Sequence, residues 1–250
     1  MQFPVYLWVG PLPIHPHWVF ETLAFIVGGR LYARLKARTG DPIDSVDRLW
    51  IVAAAFVGGA LGSKVLVLID HPTLTLVHVY EPLALLDGKT IVGALVGAWV
   101  AVECTKRRIG VTRATGDVFA MPLTIAIAIG RIGCFLSGLD DNTHGLPADL
   151  PWAVNFGDGI PRHPAQLYEI AFLALVLLPL LVWLSQRPHR AGDLFKLFMV
   201  GYLAFRLGLE FLKPGEPILG LTAIQWVCLA SLGWYAYSPG VQRVVFLKRG

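Results

Sequence analysis

The chain has 250 residues, of which 55% are hydrophobic and only 15% are charged, and its mean hydropathy is +0.61. A soluble domain of this length carries much more charge on its surface. The formal charge of +4 comes from Lys and Arg in short clusters between apolar runs. This pattern is typical of membrane orientation signals and excludes a basic stripe for nucleic acid. We therefore predict a single membrane domain over residues 1–250.

Apolar stretches long enough to cross the hydrocarbon core, about 20 residues each, recur along nearly the whole chain. Within them, Gly58 with Gly62 and Gly93 with Gly97 form small-residue motifs that let two helices approach closely. The pattern predicts an all-α polytopic membrane protein. Its seven predicted transmembrane helices lie at residues 17–36, 47–69, 88–104, 116–138, 165–185, 193–212 and 219–238.

The basic residues of the connecting segments predict the orientation. Residues 1–16 contain no Lys or Arg, and residues 139–164 contain only Arg162. Alternate connections and the C-terminus are basic, with Arg34, Lys36, Arg38, Arg48, Lys106, Arg107, Arg108, Arg113, Arg187, Arg190, Arg243, Lys248 and Arg249. The positive-inside rule then places the N-terminus outside and the C-terminus in the cytoplasm, which agrees with an odd number of crossings.

Ionisable residues inside the predicted spans indicate a functional site, because unpaired charge in the membrane is costly. Six of them share one layer near the outer face, on five helices: Glu21, Lys64, Arg131, Glu169, Arg206 and Glu210. At a rise of about 1.5 Å per residue, Arg131 and Arg206 lie roughly 10 Å below the outer boundary. Arg206 and Glu210 are i,i+4 neighbours and are expected to pair.

Two interpretations of this layer are open. It is either an ion-pair network that holds the helices together, or an anion site in which Arg binds the phosphate of a lipid with two donors. The polar segment 139–164 supplies acids and histidines for proton transfer beside it. A solvated loop explains Asp149 and Asp158 better than His163, which directly precedes a span.

Three segments resemble the motifs of the bacterial prolipoprotein diacylglyceryl transferase family. They are GRIGCFLSG at residues 130–138, RHPAQLYE at residues 162–169, and GYLAFR at residues 201–206, which is followed by Glu210. The turn at residues 220–225 also resembles that family, and the seven-helix topology agrees over nearly the whole chain.

The resemblance implies a transferase that moves diacylglyceryl from phosphatidylglycerol, or another anionic phospholipid, to a lipoprotein signal peptide or another nucleophilic acceptor. It implies the bacterial inner membrane, with the site facing the outer leaflet. Arg131 and Arg206 would bind the phosphate, and we expect His163, or else Glu169, as the base. The expected substrate-binding residues are Gly133, Cys134, Gly145, Gln166, Tyr168, Glu210 and Glu21. No cofactor or metal is expected, since Cys104, Cys134 and Cys228 lack the spacing of a zinc or redox site.

The chain departs from the family pattern around the reacting centre. Cys134 replaces an Asn, Val92 a His, Val19 a Tyr and Leu139 an acid, and an expanded polar stretch follows at residues 140–144. The phosphate-binding positions are kept, whereas the positions that would orient a thiol differ. This pattern predicts a changed acceptor or lost catalysis at an unaltered donor site. We therefore expect that the chain will not replace a true family enzyme in a cell depleted of that enzyme.

Two other function classes are weighed against the transferase. A non-catalytic phospholipid-binding or assembly protein is favoured by the missing His and Tyr and disfavoured by the retained motif at residues 162–169. A transporter lacks the internal repeats expected of that class. His78 or His144 could supply the missing imidazole from a loop.

Overall fold

The structure is a computed structural model that describes residues 3–41, 43–71 and 88–237. These residues form seven helices and two short antiparallel hairpins, so the chain is mostly helical as predicted. The helices are α1 (Pro16–Thr39), α2 (Ser45–Asp70), α3 (Ile91–Ile109), α4 (Asp117–Ser137), α5 (Ala165–Ser185), α6 (Asp193–Leu209) and α7 (Ala223–Tyr237). The hairpins pair β1 (Leu7–Val9) with β2 (Leu12–Ile14) and β3 (Val154–Asn155) with β4 (Pro161–Arg162). His78 and the C-terminal basic residues Arg243, Lys248 and Arg249 lie outside the described residues.

The helices expose many large apolar side chains, more than is usual for a protein surrounded by water. The large side chains of Trp50, Phe56, Leu175 and Trp183 are each more than half exposed. Three helices, α2, α4 with the turn that continues it to Asp141, and α5, are long and apolar enough to cross a membrane. Helices satisfy their own backbone hydrogen bonds and can therefore face lipid with apolar side chains. The protein is an integral membrane protein.

Local capping signals set where the helices of the sequence begin and end. The side chain of Asp44 accepts the N–H of Val46 at 2.9 Å and starts α2, and the hydroxyl of Thr90 accepts the N–H of Gly93 at 2.9 Å and starts α3. Gly110 ends α3 in a left-handed conformation with φ of 77°, which a glycine adopts without steric cost. These caps explain why α3 begins three residues later than its predicted start.

The chain divides into two compact units, and the one built from Asp41–Ala114 and Gly215–Gly250 contains α2, α3 and α7. A Cβ atom added to Gly62 would collide with the backbone of α3 at Gly93 and Gly97. The small-residue motifs therefore pair with each other, which confirms the predicted close approach. The N–H of Ile224 donates to Asp70 Oδ1 at 3.2 Å and fastens the start of α7 to the end of α2.

The other unit, Met1–Gly40 with Thr115–Pro214, contains α1, α4, α5, α6 and both hairpins. Helix α4 lies at its centre and packs against α1, α5 and α6. The turn Leu173–Leu177 of α5 is π-helical, and Leu173, Leu177 and Leu181 are fully buried around it. Since α4 and α5 carry two of the three motifs, this unit brings the predicted site residues together.

Candidate functional site

Arg131 lies on the buried face of α4, less than two turns before the helix ends at Ser137. Only 6% of its surface is exposed. Its Nε lies 2.9 Å from Glu169 Oε2 on α5, an ionic contact without hydrogen-bond geometry. Its Nη1 donates to the sulfur of Cys134 at 3.7 Å. One guanidinium therefore contacts both a carboxylate and a thiol.

Glu169 joins three helices through one carboxylate. Its Oε2 contacts Arg131 on α4 and lies 3.2 Å from Nη1 of Arg206 on α6, and its Oε1 accepts the hydroxyl of Tyr202 at 2.6 Å. Arg206 Nη2 donates to Glu210 Oε2 at 2.8 Å, so the predicted i,i+4 pair forms. A buried carboxylate held by two guanidiniums and a hydroxyl is a poor proton acceptor.

The two arginines of this cluster have more N–H donors than the carboxylates of Glu169 and Glu210 use. A guanidinium has five N–H groups, and Arg206 Nε is a buried donor without a hydrogen-bond partner among the described residues. Two arginines are balanced by two glutamates, and Lys213 follows at the end of the same segment. Burial, and then the charge of Arg206, lower the pKa of Lys213 to about 8. At neutral pH the five charges therefore leave one positive charge unbalanced.

The expected base His163 lies outside this cluster. Its Nδ1 is 3.1 Å from the hydroxyl of Tyr168, which accepts the indole N–H of Trp152 at 2.8 Å. The hydroxyl of Tyr168 therefore joins His163 to Trp152. His163 O also accepts the N–H of Gly145 at 2.9 Å, and a Cβ on Gly145 would lie 2.8 Å from Leu212 O. Only glycine fits at position 145, because these two segments of the chain pass too close to it for a side chain.

A second polar cluster adjoins the first near the end of α4, one turn after Arg131. His17 Nδ1, at the start of α1, lies 3.1 Å from Asp141 Oδ1, and the ligand atoms of His17, Cys134 and Asp141 all lie within 4.8 Å of one another. Thr143 donates to Asp141 Oδ2 at 2.9 Å, and Gln166 Nε2 donates to Thr143 at 3.0 Å. The expected binding residues Cys134 and Gln166 thus belong to this cluster.

Two further expected positions support the same region. Glu21 lies one turn after His17 on α1, with its Oε2 3.5 Å from His17 Nε2. Gly133 faces the start of α1, since a Cβ there would lie 2.8 Å from Phe20 Cβ. His144, in the segment after α4, packs against Phe156, and burial, with the charges of Arg162 and Lys213, lowers its pKa.

Lys64 belongs to the other unit, where its ammonium donates to Gly88 O at 2.8 Å. Val92, which stands where a histidine was expected, is completely buried near the start of α3 in that unit.

Sequence reasoning missed several residues of these clusters as site residues. Tyr202 precedes Arg206 by four positions, so helical spacing contained the signal, and Lys213 follows Glu210 by three. His17, Asp141 and Thr143 carry no such signal, because they reach Cys134 only through the packing of α1 and the turn after α4.

Comparison with known proteins gives a consistent result along the chain. The model of a family described as prolipoprotein diacylglyceryl transferase matches residues 4–237. A Bordetella parapertussis protein named phosphatidylglycerol–prolipoprotein diacylglyceryl transferase is 33% identical over 258 residues, covering 94% of this chain and 95% of its own. A protein of the same name from Bordetella avium is 35% identical over 229 residues, covering 88% and 85%. One from Methylococcus capsulatus is 32% identical over 241 residues, covering 92% and 88%.

Proposed function

Because the chain belongs to the prolipoprotein diacylglyceryl transferase family, it is a membrane enzyme of the diacylglyceryl transferase class, and we propose that it transfers diacylglyceryl from phosphatidylglycerol to a thiol. The names of its relatives supply the donor and a prolipoprotein acceptor. The observation that carries the proposal is the meeting of Arg131 and Arg206, from different helices, at Glu169 with N–H donors to spare. Such a buried, preorganised pair suits a phosphate group.

The charge of the cluster matches the reaction. A phosphodiester carries one negative charge, which the single unbalanced positive charge of the arginines, glutamates and Lys213 complements. When the bond from glycerol carbon to phosphate oxygen breaks, glycerol phosphate leaves as a monoester with a second developing charge. Preorganised donors that gain strength as this charge develops stabilise the transition state more than the ground state. Arg131 and Arg206 therefore act as the phosphate clamp.

The acceptor half of the reaction forms a sulfur–carbon bond and releases the proton of the thiol. Of the two expected bases, Glu169 is fully engaged by two guanidiniums and Tyr202. His163 is hydrogen-bonded to the hydroxyl of Tyr168, through which a proton can pass. We therefore assign proton acceptance to His163 with Tyr168 as its partner, whereas Glu169 positions the clamp.

Turnover of phosphatidylglycerol tests this function. Purified chain is incubated with phosphatidylglycerol labelled in its head group and with a peptide that carries one cysteine. Release of labelled glycerol phosphate together with a thioether-linked peptide, seen by mass spectrometry, supports the transferase. Lipid that copurifies without any product would instead indicate a non-catalytic phospholipid-binding protein. Arg190→Lys, far along the sequence from the motifs and exposed, serves as the control for Arg206→Lys.

The proposed setting is a single domain of seven crossings in the bacterial inner membrane, with the N-terminus outside and the clamp open to the outer leaflet. Seven described helices and the alternation of basic connections support it. Single cysteines at Asp149 and Arg190, in a cysteine-free background, should respond oppositely to an impermeant thiol reagent added outside. Labelling at position 190 with protection at position 149 would reverse the orientation.

A further inference from the structure

The cluster of His17, Cys134 and Asp141 contains three atoms of the kinds that bind transition metals. They come from the start of α1, the last turn of α4 and the turn that follows it. An imidazole nitrogen, a sulfur and a carboxylate oxygen within 4.8 Å of one another can converge on a single ion. Cys134 is buried and the other two residues are half-buried, so the group is enclosed but reachable. Its place is distinct from the carboxylate of Glu169 that the phosphate clamp uses.

The geometry between His17 and Asp141 fits ligands better than a hydrogen bond. Nδ1 of His17 is buried 3.1 Å from Asp141 Oδ1, yet it has no hydrogen-bond partner among the described residues. Ligand atoms about 2.0–2.1 Å from a tetrahedral ion are separated by about 3.3 Å. A catalytic Cys–His–Asp arrangement would instead need a well-directed N–H bond from the imidazole to the carboxylate. The separation of 3.1 Å is therefore compatible with two ligands of one ion.

The groups around the three atoms hold them as outer partners of a metal site do. Glu21 Oε2 lies 3.5 Å from His17 Nε2, so a carboxylate stands beside the ring nitrogen that does not face Asp141. Thr143 donates to the second oxygen of Asp141 and leaves Oδ1 for an ion. Arg131 Nη1 donates to Cys134 Sγ at 3.7 Å, as N–H groups do to metal-bound thiolates.

We propose that His17 Nδ1, Cys134 Sγ and Asp141 Oδ1 form a binding site for a divalent transition metal of the zinc class. The thiolate and the carboxylate supply two negative charges that the ion neutralises, and the mixed nitrogen, sulfur and oxygen set suits Zn²⁺ rather than Mg²⁺ or Ca²⁺. Three protein ligands leave a fourth tetrahedral position open. The use of that position for an acceptor thiolate, which a metal ion keeps deprotonated, rests on the proposed function, whereas the site itself does not.

Metal content tests the site without any lipid substrate. Purified chain is equilibrated with zinc beside a competing chelator, and bound metal is measured by inductively coupled plasma mass spectrometry. We expect about one ion per chain in the wild type and in Cys104→Ser, whose sulfur lies outside the cluster. Cys134→Ala and Asp141→Asn should lose it. A folded wild type without metal, or unchanged metal in both variants, would overturn the proposal.

Cobalt substitution checks the sulfur ligand directly. The wild type and Cys104→Ser should show a thiolate-to-cobalt charge-transfer band in the near ultraviolet, and Cys134→Ala should lack it. A band that persists in Cys134→Ala would reject Cys134 as a ligand. Arg206→Lys separates the two proposals, because it should keep the band while it loses transfer of diacylglyceryl. A variant that loses diacylglyceryl transfer but binds metal fully supports the metal site. A variant that loses metal but keeps transfer supports the proposed function without the metal site.

Discussion

Two polar clusters share α4, and they differ in how their charges are satisfied. Around Arg131 the cations and anions pair with one another across three helices, and nearly every residue matches the motifs of the family. Around Cys134, one turn later, the polar atoms of His17, Cys134 and Asp141 lie within 4.8 Å of one another, and Cys134 and the stretch at residues 140–144 depart from those motifs. We interpret the first region as the proposed donor site, and the second, the rebuilt cluster around Cys134, as the region that differs from the family pattern.

The largest expected effect concerns the acceptor. If the rebuilt cluster changes acceptor chemistry and the clamp is unaltered, this chain should fail to sustain growth of a cell depleted of its own prolipoprotein diacylglyceryl transferase. Phosphatidylglycerol should still copurify with it. A curated relative expressed from the same vector is the control for complementation. Growth supported by the unmodified chain would remove the distinction between the two clusters.

The clamp is expected to be sensitive to geometry rather than to charge. Arg131→Lys and Arg206→Lys each keep one positive charge but lose bidentate donors, so each should lower the transfer rate by about 100-fold. Both variants should fold and insert, and Arg190→Lys should be unaffected. The rate of glycerol phosphate release measures the effect. Near-normal turnover in either variant would exclude that arginine from the clamp.

Glu169→Gln should show how strongly the first cluster depends on internal pairing. The substitution leaves two buried guanidiniums facing an amide, and breaking a buried pair in this way costs about 3–5 kcal/mol. Glu103→Gln is the comparison, since the side chain of Glu103 is 41% exposed and pairs with Lys106 within one helix, so its loss should cost less than the loss of the fully buried carboxylate. Denaturation in mixed micelles compares the free energies of unfolding. Equal losses in the two variants would contradict the described network.

The smallest effect is a pH dependence of donor binding. Lys213 is charged below its pKa of about 8 and neutral above it, so the unbalanced positive charge of the cluster disappears as the pH rises. Affinity for phosphatidylglycerol should therefore fall above pH 8, by at most about tenfold per pH unit for one proton. Lys213→Arg should bind equally from pH 7 to about pH 10, because a guanidinium keeps its charge. Titration of lipid binding into nanodisc-embedded protein measures both curves.

The sequence predicts what depends on one helix at a time. Hydropathy located α5 at residues 165–185, where the structure also has it, and i,i+4 spacing predicted the pair of Arg206 and Glu210. Depth estimates placed Glu169 in the same layer but did not indicate which side chains would share its carboxylate, since that depends on how α4, α5 and α6 pack. The contact of His17 with Asp141 could not be predicted from the sequence, because no periodicity links residues so distant in the chain.

The π-helical turn Leu173–Leu177 has a consequence for how this protein can change by insertion and deletion. A π turn accommodates about one residue more than an α turn, and here it lies between Glu169 and the anchoring leucines of the second half of α5. Removing one residue would let the turn close into regular α-helix while Leu177 and Leu181 stay in place. Because the π turn takes up about one extra residue, the first half would keep its orientation and Glu169 would still face both arginines. A single deletion at this turn should therefore be tolerated, whereas a deletion between Glu169 and Leu173 should rotate Glu169 by roughly 100° away from both arginines.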